Sequence, residues 1–192
     1  MNTILGDLLE EYREVVLPSR GRIRATLWFG WQLASLVKPW MWGTGIGLAL
    51  GLESLIGTVV SPLAEDTPLV MLSLLVLVVG SWTLVGFSAT RRSLRLRDAI
   101  LGGMIVAAIS MALFGIASFV RVTVFLDTIK YRSDWVGLIA RFNASGSQDL
   151  RAFVIAEYSR SIPLSIAVMA GVGAAAGGFG GLLEITRRRL RA

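Results

Sequence analysis

The sequence predicts an all-α integral membrane protein with four transmembrane helices and both termini cytoplasmic, preceded by an amphipathic surface helix and an interfacial helix. Three observations predict this class. Apolar residues make up 54% of the 192-residue chain and are gathered into four long blocks. Basic residues cluster beside those blocks, and small residues recur at helical spacing inside them. Charged residues account for only 17% of the chain, against about 25% in an ordinary soluble domain.

Each apolar block comes near the roughly 20 residues that cross a hydrocarbon core about 30 Å thick. The blocks run over 39–60, 68–90, 99–120 and 162–185. Their apolar character is continuous, whereas barrel strands alternate over short segments, so a β-barrel is excluded. Residues 1–37 form a cytoplasmic prefix, and 38–192 a four-helix domain with an outer loop at about 121–161.

Charge sets the expected orientation. Of the 19 lysines and arginines, none lies in the first loop, which carries Glu65 and Asp66. Arg91, Arg92, Arg95 and Arg97 crowd the second loop, and Arg187, Arg188, Arg189 and Arg191 follow the last span. Cytoplasmic loops collect such residues. The third loop is basic too, but it is long and mixed with Asp127, Asp134, Asp149 and Glu157, and such loops count weakly. The net charge of +6 is therefore read as a topology signal and not as a nucleic-acid footprint. Asp7, Glu10, Glu11 and Glu14 stand where a signal peptide needs a basic and then an apolar stretch, so the first span is expected to direct its own insertion.

Residues 3–17 place Leu5, Leu8, Leu9, Tyr12, Val15 and Val16 on one helical face, with four acids opposite. Pro18 is expected to end this helix and Gly21 to act as a joint. Residues 22–37 combine Arg22 and Arg24 with Leu27, Trp28, Phe29 and Trp31, the makeup of a helix lying at a headgroup surface. The second span, rich in Leu and Val, reads as peripheral. The third carries Gly102, Gly103, Ala107, Ser110 and Gly115, which favour helix neighbours. In the outer loop, a short amphipathic helix is expected over 148–161, ending before Pro163.

Two glycine ladders stand out: Gly43, Gly47 and Gly51 in the first span, and Gly173, Gly177 and Gly181 in the fourth. Glycines four apart share one helix face and let a second backbone come close. Both ladders lie toward the cytoplasmic half of their spans, so they are expected to meet, drawing the first and fourth helices together.

Glu53 is the one carboxylate deep in the first span, and a buried membrane carboxylate needs a partner or water. Arg121 is the expected cation, with Ser81, Thr83 or the Trp82 indole as further donors. A structural clamp between helices is favoured over a proton or ion relay. Glu184 is expected to pair within its own helix with Arg187 or Arg188.

Catalytic signatures are missing. The chain has no histidine and no cysteine, which removes haem and zinc ligands, thiolate chemistry and the usual proton shuttle. Its glycine-rich runs stand inside a membrane span, so they are not phosphate loops. The protein is expected not to be an enzyme and to hold no cofactor or metal, with lipid, or a pigment contacted without histidine ligation, left open.

The segment Leu5-Gly6-Asp7-Leu8-Leu9-Glu10-Glu11-Tyr12-Arg13, followed by Gly21, Arg24-Ala25, Trp28-Phe29 and Gln32, resembles the permease-prefix segment that precedes ABC-type efflux permeases in some bacteria. The resemblance implies a bacterial inner-membrane protein whose prefix docks at the cytoplasmic surface. It puts forward Asp7, Glu10, Glu11, Tyr12 and Trp28 as partner-binding residues. The rest of the chain has neither a large outer domain nor a nucleotide-binding motif, so transport is not implied. The expected function is a non-catalytic accessory or structural subunit of a bacterial inner-membrane complex, with membrane lipids and other membrane subunits as partners. A small oligomeric transporter or channel using Glu53, and a membrane-bound regulator using the N-terminal helix, are the alternatives.

Overall fold

A computed structural model describes residues 9–36, 38–63 and 68–190. The chain divides at Lys38–Pro39 into two compact units. In the first unit, α1 (residues 9–16) closes with a π turn over Tyr12–Val16 and runs straight into α2 (Leu17–Arg20). The helix therefore does not end at Pro18, contrary to the expectation from sequence. The π turn explains why. The Leu17 N–H donates to the Tyr12 carbonyl, one residue beyond the α-helical partner, and this widened turn accommodates a proline with no N–H to give.

The break comes instead at Gly21, whose φ of +72° and ψ of 160° suit glycine alone. Helix α3 (Arg22–Leu36) follows. The Tyr12 ring meets Phe29 with centroids 5.0 Å apart, its hydroxyl lies 3.4 Å from Thr26 Oγ1, and Val16 and Ala25 are buried. Residues 3–8 of the expected surface helix, Asp7 among them, lie outside the described residues.

The second unit contains α4 (Pro39–Val60), α5 (Pro68–Ser93), α6 (Leu96–Val124), α7 (Leu126–Ile129), α8 (Val136–Ser145) and α9 (Leu150–Arg189). Helices α4, α5, α6 and α9 are long and apolar enough to cross a membrane. No strand occurs among the described residues. Helix α6 is the hub: α4, α5 and α9 each pack along it, and α5 and α9 pack along one another.

The hub is made of small residues, as its sequence suggested. Gly102, Gly103, Ala107, Ser110, Gly115 and Ala117 of α6 are buried. The two ladders both converge on this helix and do not meet each other, which corrects the expected pairing of the first and fourth spans. A methyl group added at Gly43 would stand 2.9 Å from the Val106 carbonyl oxygen, and one at Gly51 2.9 Å from Ala117 Cβ. Gly173 and Gly177 lie against Ala107, Gly103 and Ala99, while Gly181 touches Ala99 and Thr90. The expectation failed because α6 offers each ladder its own face: Gly103 and Ala107 toward α9, and Val106, Ser110 and Ala117 toward α4. The Ser110 hydroxyl adds a polar link, contacting the Gly43 carbonyl at 3.2 Å.

Helix α5 is only partly peripheral. Its first half exposes Leu69, Met71, Leu72, Val76 and Leu77, while Trp82, Val85 and Thr90 are buried in the second. Gly86 abuts the Gly177 backbone, and Gly180 abuts Thr83. The Leu94–Arg95 connection to α6 is tight enough to hold Leu94 at φ 59°, a left-handed backbone that costs a non-glycine residue roughly 1–2 kcal/mol.

At the other end the chain folds into a cap. Helix α6 stops at Val124, and Val122, Leu126, Ile129, Trp135 and Val154 form a separate buried cluster with Phe125, Leu138, Phe153 and Tyr158 around it. Asp149 caps α9 by accepting the N–H groups of Arg151 and Ala152 at 2.8 and 3.2 Å. Arg151 reaches back to Asp127 at 3.1 Å and to the Thr123 carbonyl at 2.7 Å.

Helix α9 then continues for 40 residues with Pro163 inside it. The separate helix expected to end before Pro163 is thus the first part of this one helix. Ser159, whose carbonyl loses its bond at Pro163, is exposed, as is Pro163 itself. Both residues lie on the open side of α9, so the proline ring meets no packed neighbour there.

Replacing Gly177 by Leu is expected to destabilise the bundle by about 3 kcal/mol, because its Cβ would strike the Ala99 carbonyl and stand 3.0 Å from Gly103 Cα. Gly45→Leu, where a Cβ meets nothing within 4 Å, is expected to leave stability unchanged. Thermal unfolding in detergent compares the two.

Candidate functional site

Helices α4 and α5 both lean on α6 without packing along each other. Toward the cap they leave a crevice of about 340 Å³, within the roughly 300–1,000 Å³ typical of small-molecule sites. Its α4 wall carries Glu53, Ser54, Thr58 and Ser61, its α5 wall Met71, Leu74, Leu75 and Val78, and its floor Met111, Phe114 and Arg121 of α6. Arg132 closes it from the cap. A second cavity of about 280 Å³ lies between α6 and α9, lined by Ser118, Tyr158, Ser161 and Ser165, and it shares Met111, Phe114 and Arg121 with the first.

Parallel packing of α4 on α6 sets the polar register. Gly51 faces Ala117, and one turn on, Arg121 Nη1 donates to Ser54 Oγ at 3.2 Å. Arg121 Nε is buried with no hydrogen-bond partner. Arg132 has only 7% of its side chain exposed and, among the described residues, is bound through its Nε to Asp134 at 2.9 Å.

The expected Glu53–Arg121 ion pair does not form. Both side chains line the same crevice, but Arg121 is taken by Ser54, and Glu53 makes no ion pair among the described residues. Of the other donors suggested for Glu53, two are occupied elsewhere and the third, the Trp82 indole N–H, is buried without a hydrogen-bond partner. The Ser81 and Thr83 hydroxyls donate to the carbonyls of Val78 and Val79 in their own helix. The Trp82 indole is buried in the core with Val85, Val106 and Ala176.

At the opposite end, Glu184 is fully buried and held by Arg187 and Arg188 at 2.7 and 2.9 Å. Arg188 also donates to the Arg91 carbonyl at 2.9 Å, and Arg187 lies 5.3 Å from the Phe87 ring. The local pairing expected from sequence is therefore also a clasp between α9 and the end of α5.

Ser54, Arg132 and Tyr158 were missed by sequence reasoning. Ser54 had a weak signal in its position next to Glu53, but Arg132 and Tyr158 reach the cavities only because the cap folds back. Gly86 and Gly180 were missed too, having no ladder of their own. The partner-binding candidates Glu10 and Glu11 are exposed and Tyr12 and Trp28 half-buried in the first unit, while Asp7 is outside the described residues.

Arginine does not release its proton in proteins, so Arg121 and Arg132 offer this crevice fixed charge and hydrogen bonds, and Glu53 is the titratable carboxylate among its described lining residues. No cluster of three or more histidine, cysteine, aspartate or glutamate side chains suited to a metal occurs among the described residues. Comparison with protein-family models, curated proteins and solved structures finds no match.

The Glu184→Gln variant is expected to lose about 1–2 kcal/mol of stability, since it weakens two charge-assisted hydrogen bonds whose arginines can still turn to water. Chemical unfolding in detergent measures it, and an unchanged midpoint would show the clasp to be idle.

Proposed function

We propose that this protein is a non-catalytic accessory or structural subunit of a bacterial inner-membrane complex, with both termini in the cytoplasm. One observation carries the reading: the fold leaves a ladder of small residues unused. Ala167, Gly171 and Ala175 lie four apart on α9 and are exposed, and a Cβ at Gly171 would meet nothing within 4 Å. Gly45 and Ala49 repeat the pattern on the exposed side of α4. Inside this bundle every such surface on α6 is met by another helix, and a bare ladder facing lipid is the surface that a neighbouring subunit's helix fits.

The arginines at the Glu184 end support the proposed orientation, because cytoplasmic flanks gather positive charge. The exposed acids Glu10 and Glu11 give the prefix unit a polar face for a partner at that surface. The channel alternative has less support. Glu53 is the sole carboxylate lining the crevice among the described residues, and a relay needs a second titratable group in reach.

Purification of the full chain from its native membrane in mild detergent is expected to yield a stoichiometric assembly with other membrane subunits. Gly171→Leu is expected to lose that assembly while keeping its own thermal stability. A homo-oligomer that conducts ions in liposomes would overturn the proposal.

A further inference from the structure

The crevice between α4 and α5 has the chemistry of an amphiphile site. Its lower walls are Leu74, Leu75, Val78, Met111 and Met169, with no charged group among them. Its upper rim holds two guanidiniums, Arg121 and Arg132, and one carboxylate, Glu53. Leu75 and Met71 are 50% and 59% exposed, so the apolar part opens sideways, toward the space lipid occupies around such a bundle.

Depth agrees with this division. From Ala99, the first buried residue of α6, Arg121 is about 33 Å along the helix at 1.5 Å per residue. A hydrocarbon core is about 30 Å thick, so Arg121 lies toward its cap-side face with the apolar crevice beneath it. Arg121 keeps a buried Nε without a partner, and among the described residues the Arg132 side chain is bound only through its Nε. Guanidinium groups bind phosphate oxygens through paired N–H donors. Glu53, on the same rim, makes no ion pair among the described residues, and its complement is a cation.

We infer that the crevice binds one zwitterionic phospholipid of the phosphatidylethanolamine type. The phosphate sits on Arg121 and Arg132, the headgroup ammonium faces Glu53, and one acyl chain descends between α4 and α5. A lipid phosphate and a free phosphate would engage the same arginines, but only the lipid uses the apolar walls.

The full-length protein, stripped of lipid and then exposed to an equal mixture of phosphatidylethanolamine and phosphatidylglycerol, tests the inference by native mass spectrometry. The wild type is expected to retain one phosphatidylethanolamine in clear excess over phosphatidylglycerol. Arg121→Gln is expected to lower retention about tenfold for both lipids. Glu53→Gln is expected to abolish the preference while keeping total retention. Gly57→Trp provides a control on folding: Gly57 lines the crevice and a Cβ there meets nothing within 4 Å. That variant is expected to fill the crevice, lose the lipid and keep its thermal stability. Equal retention of the two lipids by the wild type, undiminished retention by Gly57→Trp, or displacement of the lipid by inorganic phosphate would each overturn the inference.

Discussion

Everything in the membrane unit depends on how closely two other backbones approach α6. Lipid tails are as apolar as leucine side chains, so burial of apolar surface does little to hold helices together in a bilayer. Contact between bare backbones does more, because it brings many atoms into van der Waals range and leaves carbonyl oxygens within reach of hydroxyls. Gly43, Gly47 and Gly51 supply that approach from α4, and Gly173 and Gly177 from α9. The Ser110 hydroxyl, shared between the Val106 and Gly43 carbonyls at 2.7 and 3.2 Å, shows what such proximity permits.

Other features follow from this hub. Helices α4 and α5 are each fixed to α6 and so need no contact with each other, which leaves the crevice between them. The same register that sets Gly51 on Ala117 delivers Ser54 to Arg121. The two ends of the bundle are then secured differently. One end uses a buried carboxylate with two arginines. The other uses an apolar cluster with aromatic contact between Phe142 and Phe153, centroids 5.6 Å apart, and exposed ion pairs such as Arg141–Glu157. Exposed pairs of this kind contribute little alone, so the apolar cluster holds the cap.

The membrane-spanning helices were legible because continuous apolar length has few other physical solutions. The local pairing of Glu184 was legible too, since residues three and four apart face each other on a helix whatever surrounds it. What required the structure was any question of which surface meets which. Gly173 and Gly43 both advertise close packing, but nothing in their spacing says that one will meet Gly103 and Ala107 and the other Val106 and Ile109 of the same helix. The prolines show a second limit. Pro18 and Pro163 are strong breakers by local rule, and each was overridden by something invisible to that rule: a π turn at Tyr12–Val16, and the open side of α9 on which Ser159 and Pro163 lie. For the crevice, spacing alone brought Glu53 and Arg121 to one depth, and the structure lines one crevice with both, but Arg121 donates to Ser54 on the same helix as Glu53.

The place of α9 in the chain has a consequence for biosynthesis. This helix is the last of the four and packs on both α5 and α6, so Gly86 and Gly103 have no neighbour until it arrives. Helices that enter a bilayer first and associate afterwards would leave three spans waiting with a bare glycine seam turned toward lipid. The cap residues between α6 and α9 must be on their own side before the seam can close. The span that locks the bundle is thus made after the three it joins, and a chain interrupted before Gly173 would hold three inserted helices and an unfilled groove, a ready substrate for membrane quality control.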